Sequence, residues 1–189
     1  MKAENVSAVI MAGGMSTRMK TNKADLKLGD KTLTEIQIDK MKELGISDIM
    51  ISGYEKTIDG TRAIPDEYTG KGPLGGVHAC LKAAKNPACL VISADTPFVP
   101  VETLKELVEA HEGPATVLSF EGQIEPLIAV YDSSLASRAE ELIKKDDFSI
   151  RRMAGNTEVK KVEFKGDADC LLNCNDPEDF EKAKSMWNK

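Results

Sequence analysis

The sequence predicts an α/β fold, a three-layer αβα sandwich around a mostly parallel, mixed sheet of Rossmann-like type. Two observations support this prediction. Apolar runs that suit buried strands alternate along the chain with segments of helical periodicity. These strand candidates are continuously apolar, which is typical of parallel strands covered by helices on both faces.

The first 100 residues show the alternation most clearly. Thr32 and Glu35 have capping-box spacing and Gly45 is a helix terminator, so a helix is predicted between them. Val77 and Leu81 recur at helical spacing in a later segment. The predicted elements, in order, are strand Ser7–Met11, helix Thr32–Leu44, strands Asp48–Ser52 and Thr61–Ile64, helix Gly75–Ala84 and strand Cys89–Ala94.

The order of elements changes in the second half of the chain. Pro100 opens a predicted helix, since proline suits the first helical turn. Two apolar runs then flank the turn-rich residues 121–123, so their connection is not helical and the sheet is expected to be mixed. The elements are helix Pro100–Ala110, strands Ala115–Phe120 and Pro126–Val130, and helices Ser134–Lys144 and Asp176–Met186.

Composition narrows the class of protein. The 189 residues suit a single domain, and 41% hydrophobic with 30% charged residues is ordinary for a globular chain. A net charge of −6 argues against a general nucleic-acid scaffold. No run of 18 apolar residues and no signal-peptide pattern is present, which predicts a cytoplasmic protein without membrane association. The four cysteines lack C-x-x-C spacing, so we expect reduced and mostly buried thiols.

The first strand candidate ends in a glycine-rich loop. Met11 and Ala12 precede the pair Gly13-Gly14, and Arg18 and Lys23 follow. Glycine lets the backbone approach a ligand closely, loop N–H groups can bind an anion, and the two cations can contact phosphate oxygens. The loop is neither a P-loop nor a dinucleotide fingerprint, because the residues that complete those motifs are missing. A tight turn beside surface cations is the alternative interpretation.

Polar side chains follow three other predicted strands. Tyr54, Asp66 and Asp95 each come after a strand end, where ligands bind in open α/β sheets. Asp95 suits Mg2+, which takes one or two protein oxygens and completes its shell with water and substrate phosphates. A turn or helix-cap role before Pro100 is the alternative for Asp95.

The motifs resemble those of a known family. A-G-G-x-x-x-R-M at residues 12–19, followed by a lysine, is similar to the signature loop of the molybdenum cofactor guanylyltransferases (molybdopterin-guanine dinucleotide biosynthesis protein A), within the nucleotidyltransferase superfamily. Three later segments resemble the family in the same order, namely Gly72–Gly76, Ser93–Pro100 and Asn173–Asp179.

The resemblance implies a nucleotidyltransferase fold of GT-A type in one domain, residues 1–189. Residues 1–100 would bind nucleotide and residues 101–189 the acceptor. It implies GMP transfer from GTP to the phosphate of molybdopterin with Mg2+, release of pyrophosphate, and a molybdoenzyme or another cofactor-pathway protein as a partner. The catalytic residues would be Arg18, Lys23 and Asp95; the nucleotide-binding residues Met11, Ala12, Gly13, Gly14, Lys23, Tyr54, Asp66, Gly75 and Asp95; and the metal ligands Asp95 and Asn175.

The roles of Asp66 and Asn175 each have an alternative interpretation. The carboxylate of Asp66 could accept hydrogen bonds from N1–H and the amine of guanine, whereas a surface position beside Glu67 would have no such role. The amide of Asn175 could be a second metal ligand, or it could cap the helix before Pro177.

The chain departs from the family pattern at several positions. Asn22 stands where a family member usually has Asp, Lys20 replaces Gly, Thr32 replaces Pro, and Ser52-Gly53-Tyr54 stands in place of Asn-Ala-Asn. These departures leave two alternatives open. One is a related nucleotidylyltransferase with a different base or acceptor, such as a CTP:molybdopterin cytidylyltransferase. The other is a non-catalytic homologue that binds the cofactor.

Overall fold

The computed structural model describes residues 1–13, 23–56, 58–155 and 159–188, with the side chain of Lys23 outside this description. These ranges contain a seven-stranded sheet and a separate two-stranded hairpin. The strands are β1 (Val6–Met11), β2 (Lys27–Leu28), β3 (Lys31–Thr32), β4 (Asp48–Ser52), β5 (Thr61–Ile64), β6 (Ala88–Ser93), β7 (Ala115–Phe120), β8 (Gln123–Asp132) and β9 (Val159–Glu163).

The sheet is mixed, as the sequence predicted. Its strand order is β5-β4-β1-β6-β8-β7-β9, and β2 pairs with β3 in the hairpin. Strands β5, β4, β1 and β6 are mutually parallel, so their carboxyl ends share one edge of the sheet. Strand β8 is antiparallel to both β6 and β7, whereas β9 is parallel to β7.

Helices cover both faces of the sheet, which confirms the three-layer architecture. The helices are α1 (Leu33–Glu43), α2 (Gly72–Ala83), α3 (Val101–Ala110), α4 (Leu135–Lys144), α5 (Ile150–Ala154) and α6 (Pro177–Trp187). Helices α1 and α3 pack on one face, and α2, α4 and α5 pack on the other. Helix α6 packs against the start of α1 and the small hairpin. Among the described residues, no helix is both long and apolar enough to cross a bilayer.

Strand β1 shows why the sheet separates two cores. Ala8 and Ile10 face the core under α1 and α3, whereas Val9 and Met11 face the core under α2 and α4. This alternation follows from the two-residue period of a strand. All six residues of β1 are buried and five of them are apolar, which reflects cover on both faces.

Most predicted elements are present, with differences at their ends. Helix α1 begins with the predicted capping box, in which Thr32 accepts from the amide of Glu35. Helix α2 begins at Gly72, three residues before the predicted start, because Pro73 is tolerated in its first turn. The sequence analysis did not predict α5, β9 or the β2–β3 hairpin. Three of the four cysteines are buried, as expected.

Candidate functional site

A cleft of about 390 Å³ opens beyond the carboxyl ends of the parallel strands. Four residues predicted as ligands line it, namely Met11, Gly13, Asp66 and Asp95. The rest of the lining comprises Ser52, Gly70, Gly72, Pro73, Gly76, Ser93 and Leu127. Two larger open grooves of about 500 Å³, one beside Met1 and one beside Trp187, contain none of the predicted ligands. We therefore place the candidate site in the cleft.

Asp95 lies at the centre of this arrangement, two residues after β6. The hydroxyl of Ser93 donates a hydrogen bond of 2.5 Å to Oδ1 of Asp95, which fixes the side chain. The carbonyl of Asp95 accepts a bond of 2.8 Å from the amide of Cys174. Asn175 follows Cys174 directly and is exposed, so its backbone lies near that of Asp95, but Asn175 does not line the cleft.

Asp176, rather than Asn175, caps the following helix. Its side chain accepts from the amide of Asp179, and the two residues form a capping box. The backbone N–H of Asn175 donates to the Asp179 carboxylate at 3.0 Å. The helix-capping role considered as the alternative for Asn175 therefore belongs to Asp176.

The donor set at Asp95 suits a magnesium ion. Mg2+ needs oxygen ligands, keeps several waters and is usually bound by one or two carboxylates together with substrate phosphates. Asp95 supplies such a carboxylate to an open cleft. Within the described parts of the chain, no three His, Cys, Asp or Glu side chains group closely enough to hold a metal by themselves. Asp95 alone would leave most of the coordination shell to waters, substrate oxygens and other protein oxygens such as that of Asn175.

Asp66 also lines the cleft, and Ser52 holds it in place. The hydroxyl of Ser52 donates to Oδ1 of Asp66 at 3.2 Å, and Ser52 is itself buried. A Cβ added at Gly76 would lie 2.1 Å from the Ser52 hydroxyl. A side chain at position 76 would therefore displace the hydroxyl that holds Asp66. Sequence reasoning did not assign Ser52 to the site.

Two glycines form the contact between the loops that follow β1 and β4. A Cβ added at Gly53 would lie 2.4 Å from Cα of Gly13. Gly53 also has a φ of +69°, a conformation that glycine adopts without a steric penalty. The alanine of the family pattern at position 53 would not fit against this backbone, so the Ser52-Gly53-Tyr54 segment is consistent with its surroundings.

Tyr54 lies outside the cleft lining. It is buried, and its hydroxyl donates to Oδ1 of Asp25 at 2.7 Å. Lys56 pairs with the same oxygen at 2.7 Å. Hydrogen bonds from Lys56 and Tyr54 hold the pKa of Asp25 below its usual value. Burial, together with the bond to Asp25, raises the pKa of Tyr54. Tyr54 thus contacts the 3-10 turn Lys23–Asp25 at the end of the glycine-rich loop.

An irregularity in β8 shapes the remaining wall of the cleft. Val117 pairs with Ala129, but the next residue, Leu118, pairs with Glu125, so β8 bulges between these contacts. Pro126 lies in the bulge, a strand position that proline tolerates. The hydroxyl of Tyr131 donates to the Pro126 carbonyl at 2.7 Å. The bulge places Leu127 in the cleft.

The other predicted ligands have different surroundings. Ala12 is buried, and its amide donates to the carbonyl of Ser52 at 3.0 Å. Gly75 lies inside α2, where an added Cβ would be 2.7 Å from the Tyr68 carbonyl, and it does not line the cleft. Gly14, Arg18 and the side chain of Lys23 lie outside the described residues.

Solved structures share the fold of this chain. Molybdopterin-guanine dinucleotide biosynthesis protein A from Archaeoglobus fulgidus superposes with a TM-score of 0.78 at 23% identity, covering 96% of this chain and 98% of its own. 2-C-methyl-D-erythritol 4-phosphate cytidylyltransferase from Thermus thermophilus superposes with a TM-score of 0.72 at 20% identity, covering 97% and 98%. At 23% and 20% identity, the similarity to these two structures shows a shared fold and no more.

Sequence comparison identifies the family. A relative from Pelotomaculum thermopropionicum, named "probable molybdenum cofactor guanylyltransferase", is 32% identical over 95% of this chain and 92% of its own. The molybdenum cofactor guanylyltransferase of Campylobacter jejuni is 29% identical over 98% of both chains. The pattern of the MobA-like NTP transferase domain matches residues 8–161. The chain described here therefore belongs to the MobA-like NTP transferase family.

Proposed function

We propose that this protein is a molybdenum cofactor guanylyltransferase, which transfers GMP from GTP to the terminal phosphate of molybdopterin and releases pyrophosphate. The observation that carries the proposal is the cleft itself. Two carboxylates, Asp66 and Asp95, line it beyond the carboxyl ends of the parallel strands. The names of the relatives supply the acceptor.

Asp66 is suited to read the base. Guanine presents two adjacent donors, N1–H and the exocyclic amine, and one carboxylate can accept from both. The bond from Ser52 limits the rotation of the Asp66 carboxylate. Each hydrogen bond to a charged group contributes about 1.5–3 kcal/mol, so a base with acceptors at these positions would bind more weakly.

The chemistry follows from charge and position. A phosphate monoester has a second pKa near ~6, so the acceptor is largely dianionic at neutral pH and needs no general base. Its oxygen would attack the α-phosphorus in line with the departing pyrophosphate. A divalent metal, once bound, neutralises charge on the phosphates. Asp95 would hold that metal, with Asn175 as a second ligand, and Gly13 leaves room for the nucleotide to approach the backbone.

The glycine-rich loop would bind the leaving phosphates. We assign Arg18 and Lys23 to the β- and γ-phosphates, with the amides of Gly13 and Gly14 beside them. Such contacts stabilise charge as it develops on the leaving group and need no proton transfer.

Pyrophosphate release tests the proposal. The purified chain is incubated with each of GTP, CTP, ATP and UTP, with and without molybdopterin, at saturating Mg2+. We expect release with GTP that depends on molybdopterin. Release with CTP instead would make the protein a cytidylyltransferase. Binding of nucleotide or molybdopterin without any release would make it a non-catalytic homologue.

Replacing Asp95 tests the metal site. Asp95→Ala should lower kcat by on the order of 10²–10³ at saturating Mg2+, because charge stabilisation in the transition state is lost. The fold should persist, since Asp95 is only half-buried. Asp39→Asn is the control, because Asp39 is an exposed partner of Lys31 away from the cleft. A near-normal kcat for Asp95→Ala would remove Asp95 from this role.

A further inference from the structure

The loop that carries Asp95 has no regular structure, so its carbonyl groups need partners from elsewhere. Residues 94–100 connect β6 to α3 and include two prolines. Buried carbonyl groups without partners are costly. Two side chains of helix α1, Gln37 and Lys40, supply partners for the carbonyls of Thr96, Pro97 and Val99.

Gln37 contacts the beginning of this loop. Its Nε2 donates to the carbonyl of Thr96 at 2.8 Å and to that of Ser93 at 3.2 Å, on either side of Asp95. The side chain is fully buried. Its other polar atom, Oε1, has no hydrogen-bond partner among the described residues. A buried acceptor without a partner is unfavourable, so the two donated bonds are the favourable contribution of this amide.

Lys40 contacts the rest of the loop. Its ammonium donates to the carbonyl of Pro97 at 2.6 Å and to that of Val99 at 2.8 Å. Gln37 and Lys40 are three residues apart and therefore share one face of α1. Together they bind four carbonyls between Ser93 and Val99, a stretch in which the amide of Cys174 binds the carbonyl of Asp95.

We propose that Gln37 and Lys40 are positioning residues for Asp95, which set the affinity of the site for a divalent metal by fixing the loop from Ser93 to Val99. This inference rests on the proposed function only in taking Asp95 as the metal ligand. Neither side chain lines the cleft, so we assign neither a direct contact with substrate. They act through the backbone on both sides of the carboxylate.

The same face of α1 also contacts the turn Lys23–Asp25, which follows the glycine-rich loop. The hydroxyl of Thr34, one turn before Gln37, donates to the carbonyl of Ala24 at 3.0 Å. Ala24 belongs to the turn Lys23–Asp25. Helix α1 therefore contacts both the loop that carries Asp95 and the turn Lys23–Asp25, and a fixed relation between these two segments would help to align the metal with the leaving phosphates.

The test measures metal dependence as well as rate. Gln37→Met and Lys40→Met keep most of the side-chain volume and remove the donors. We expect the Mg2+ concentration for half-maximal turnover with GTP to rise roughly 10-fold or more, as for other residues that orient a metal ligand. The kcat at saturating Mg2+ should change much less. Lys40→Arg, which retains the donors, should restore most of the metal affinity.

Ile38→Val is the matched control, because Ile38 is buried on the same helix but packs into the sheet core. It should lower stability without changing the metal dependence. Lys40 lines an open groove, so Lys40→Met should fold even if Gln37→Met does not. Two results would overturn the proposal. One is a folded Lys40→Met variant that needs the same Mg2+ concentration for half-maximal turnover as wild type. The other is a turnover rate that falls by the same factor at every Mg2+ concentration.

A binding measurement separates this inference from the proposed function. Mn2+ bound in the presence of a non-hydrolysable GTP analogue can be followed by electron paramagnetic resonance without turnover. Weaker Mn2+ binding by Lys40→Met than by Ile38→Val would support the positioning role even if wild-type protein transferred no GMP. Equal binding by the two variants would contradict it even if GMP transfer were established.

Discussion

Asp66 allows a direct test of base recognition by one side chain. Asp66→Asn keeps the shape of the side chain but replaces one acceptor oxygen with a donor. Wild-type protein should bind GTP about ten- to a hundredfold more tightly than ITP, which lacks the amine and so loses one bond of about 1.5–3 kcal/mol. The variant should lose most of this preference. Calorimetric titration of both nucleotides measures the effect.

Glu67→Gln is the control for that experiment. Glu67 is the exposed neighbour of Asp66 and pairs with Lys82 at 2.9 Å, outside the cleft. Its replacement should leave the GTP-to-ITP ratio unchanged. A wild-type chain that binds CTP more tightly than GTP would contradict the assignment of guanine while leaving that of the metal intact.

Lys40 should make stability depend on pH. Burial lowers the pKa of its ammonium from 10.5 to about 8. Between these values the unfolded chain binds a proton that the folded chain does not, so this group makes stability rise with pH. Below pH 8 both states are protonated, and the cost of burying the charge, on the order of 3 kcal/mol, is present in full.

Denaturant unfolding of wild-type and Lys40→Met protein between pH 7 and 10 isolates this contribution. The variant lacks the titrating group, so the difference in unfolding free energy between the two proteins should shift with pH in favour of the wild type. A difference that stays constant across this range would show that the ammonium is well solvated.

Residues at or just beyond strand ends were the most predictable part of the candidate site. Met11, Gly13, Asp66 and Asp95 line the cleft because strand ends converge there whatever the side chains around them. Tyr54 also follows a strand, yet it is buried against Asp25. Its direction depends on a neighbour 29 residues away, which no local pattern reveals.

The contact between the loops after β1 and β4 gives a prediction about local geometry. Gly53→Ala should lower stability by more than the ~1–2 kcal/mol cost of a positive φ, because its Cβ would meet the Gly13 backbone. It should also weaken GTP binding, since Gly13 lines the cleft. Unfolding curves and nucleotide titrations measure both effects.

Gly45→Ala separates backbone strain from the steric contact. Gly45 has a φ of +81°, but an added Cβ there would meet nothing within 4 Å. This variant should show only the conformational cost and unchanged GTP affinity. If Gly53→Ala behaved like Gly45→Ala in both measurements, the contact between the two glycines would have no functional role.

Helices with signals at both ends were the most predictable elements. Helix α1 has a capping box at one end and Gly45 beyond the other, and its bounds agree with prediction to within a residue. Helix α5 has five residues, too few to show a period. Strand β9 buries only Val162 among its five residues, so its sequence resembles an exposed loop.

The sequence could predict that the sheet mixes parallel and antiparallel strands, but it could not predict the order of the strands. The non-helical connection between β7 and β8 indicated a mixed sheet. The placement of β8 beside β6 depends on packing between segments far apart in sequence. This placement decides the shape of the cleft, because the bulge of β8 supplies Leu127.

The two outer strands of the sheet bear on how copies of the protein behave at high concentration. An edge strand with free backbone groups can pair with another copy and start aggregation. At one edge β5 has only four residues, and at the other β9 exposes Lys160 and Lys161. Pairing through β9 would strip water from these charged side chains. The sheet is therefore protected at both edges against growth from molecule to molecule.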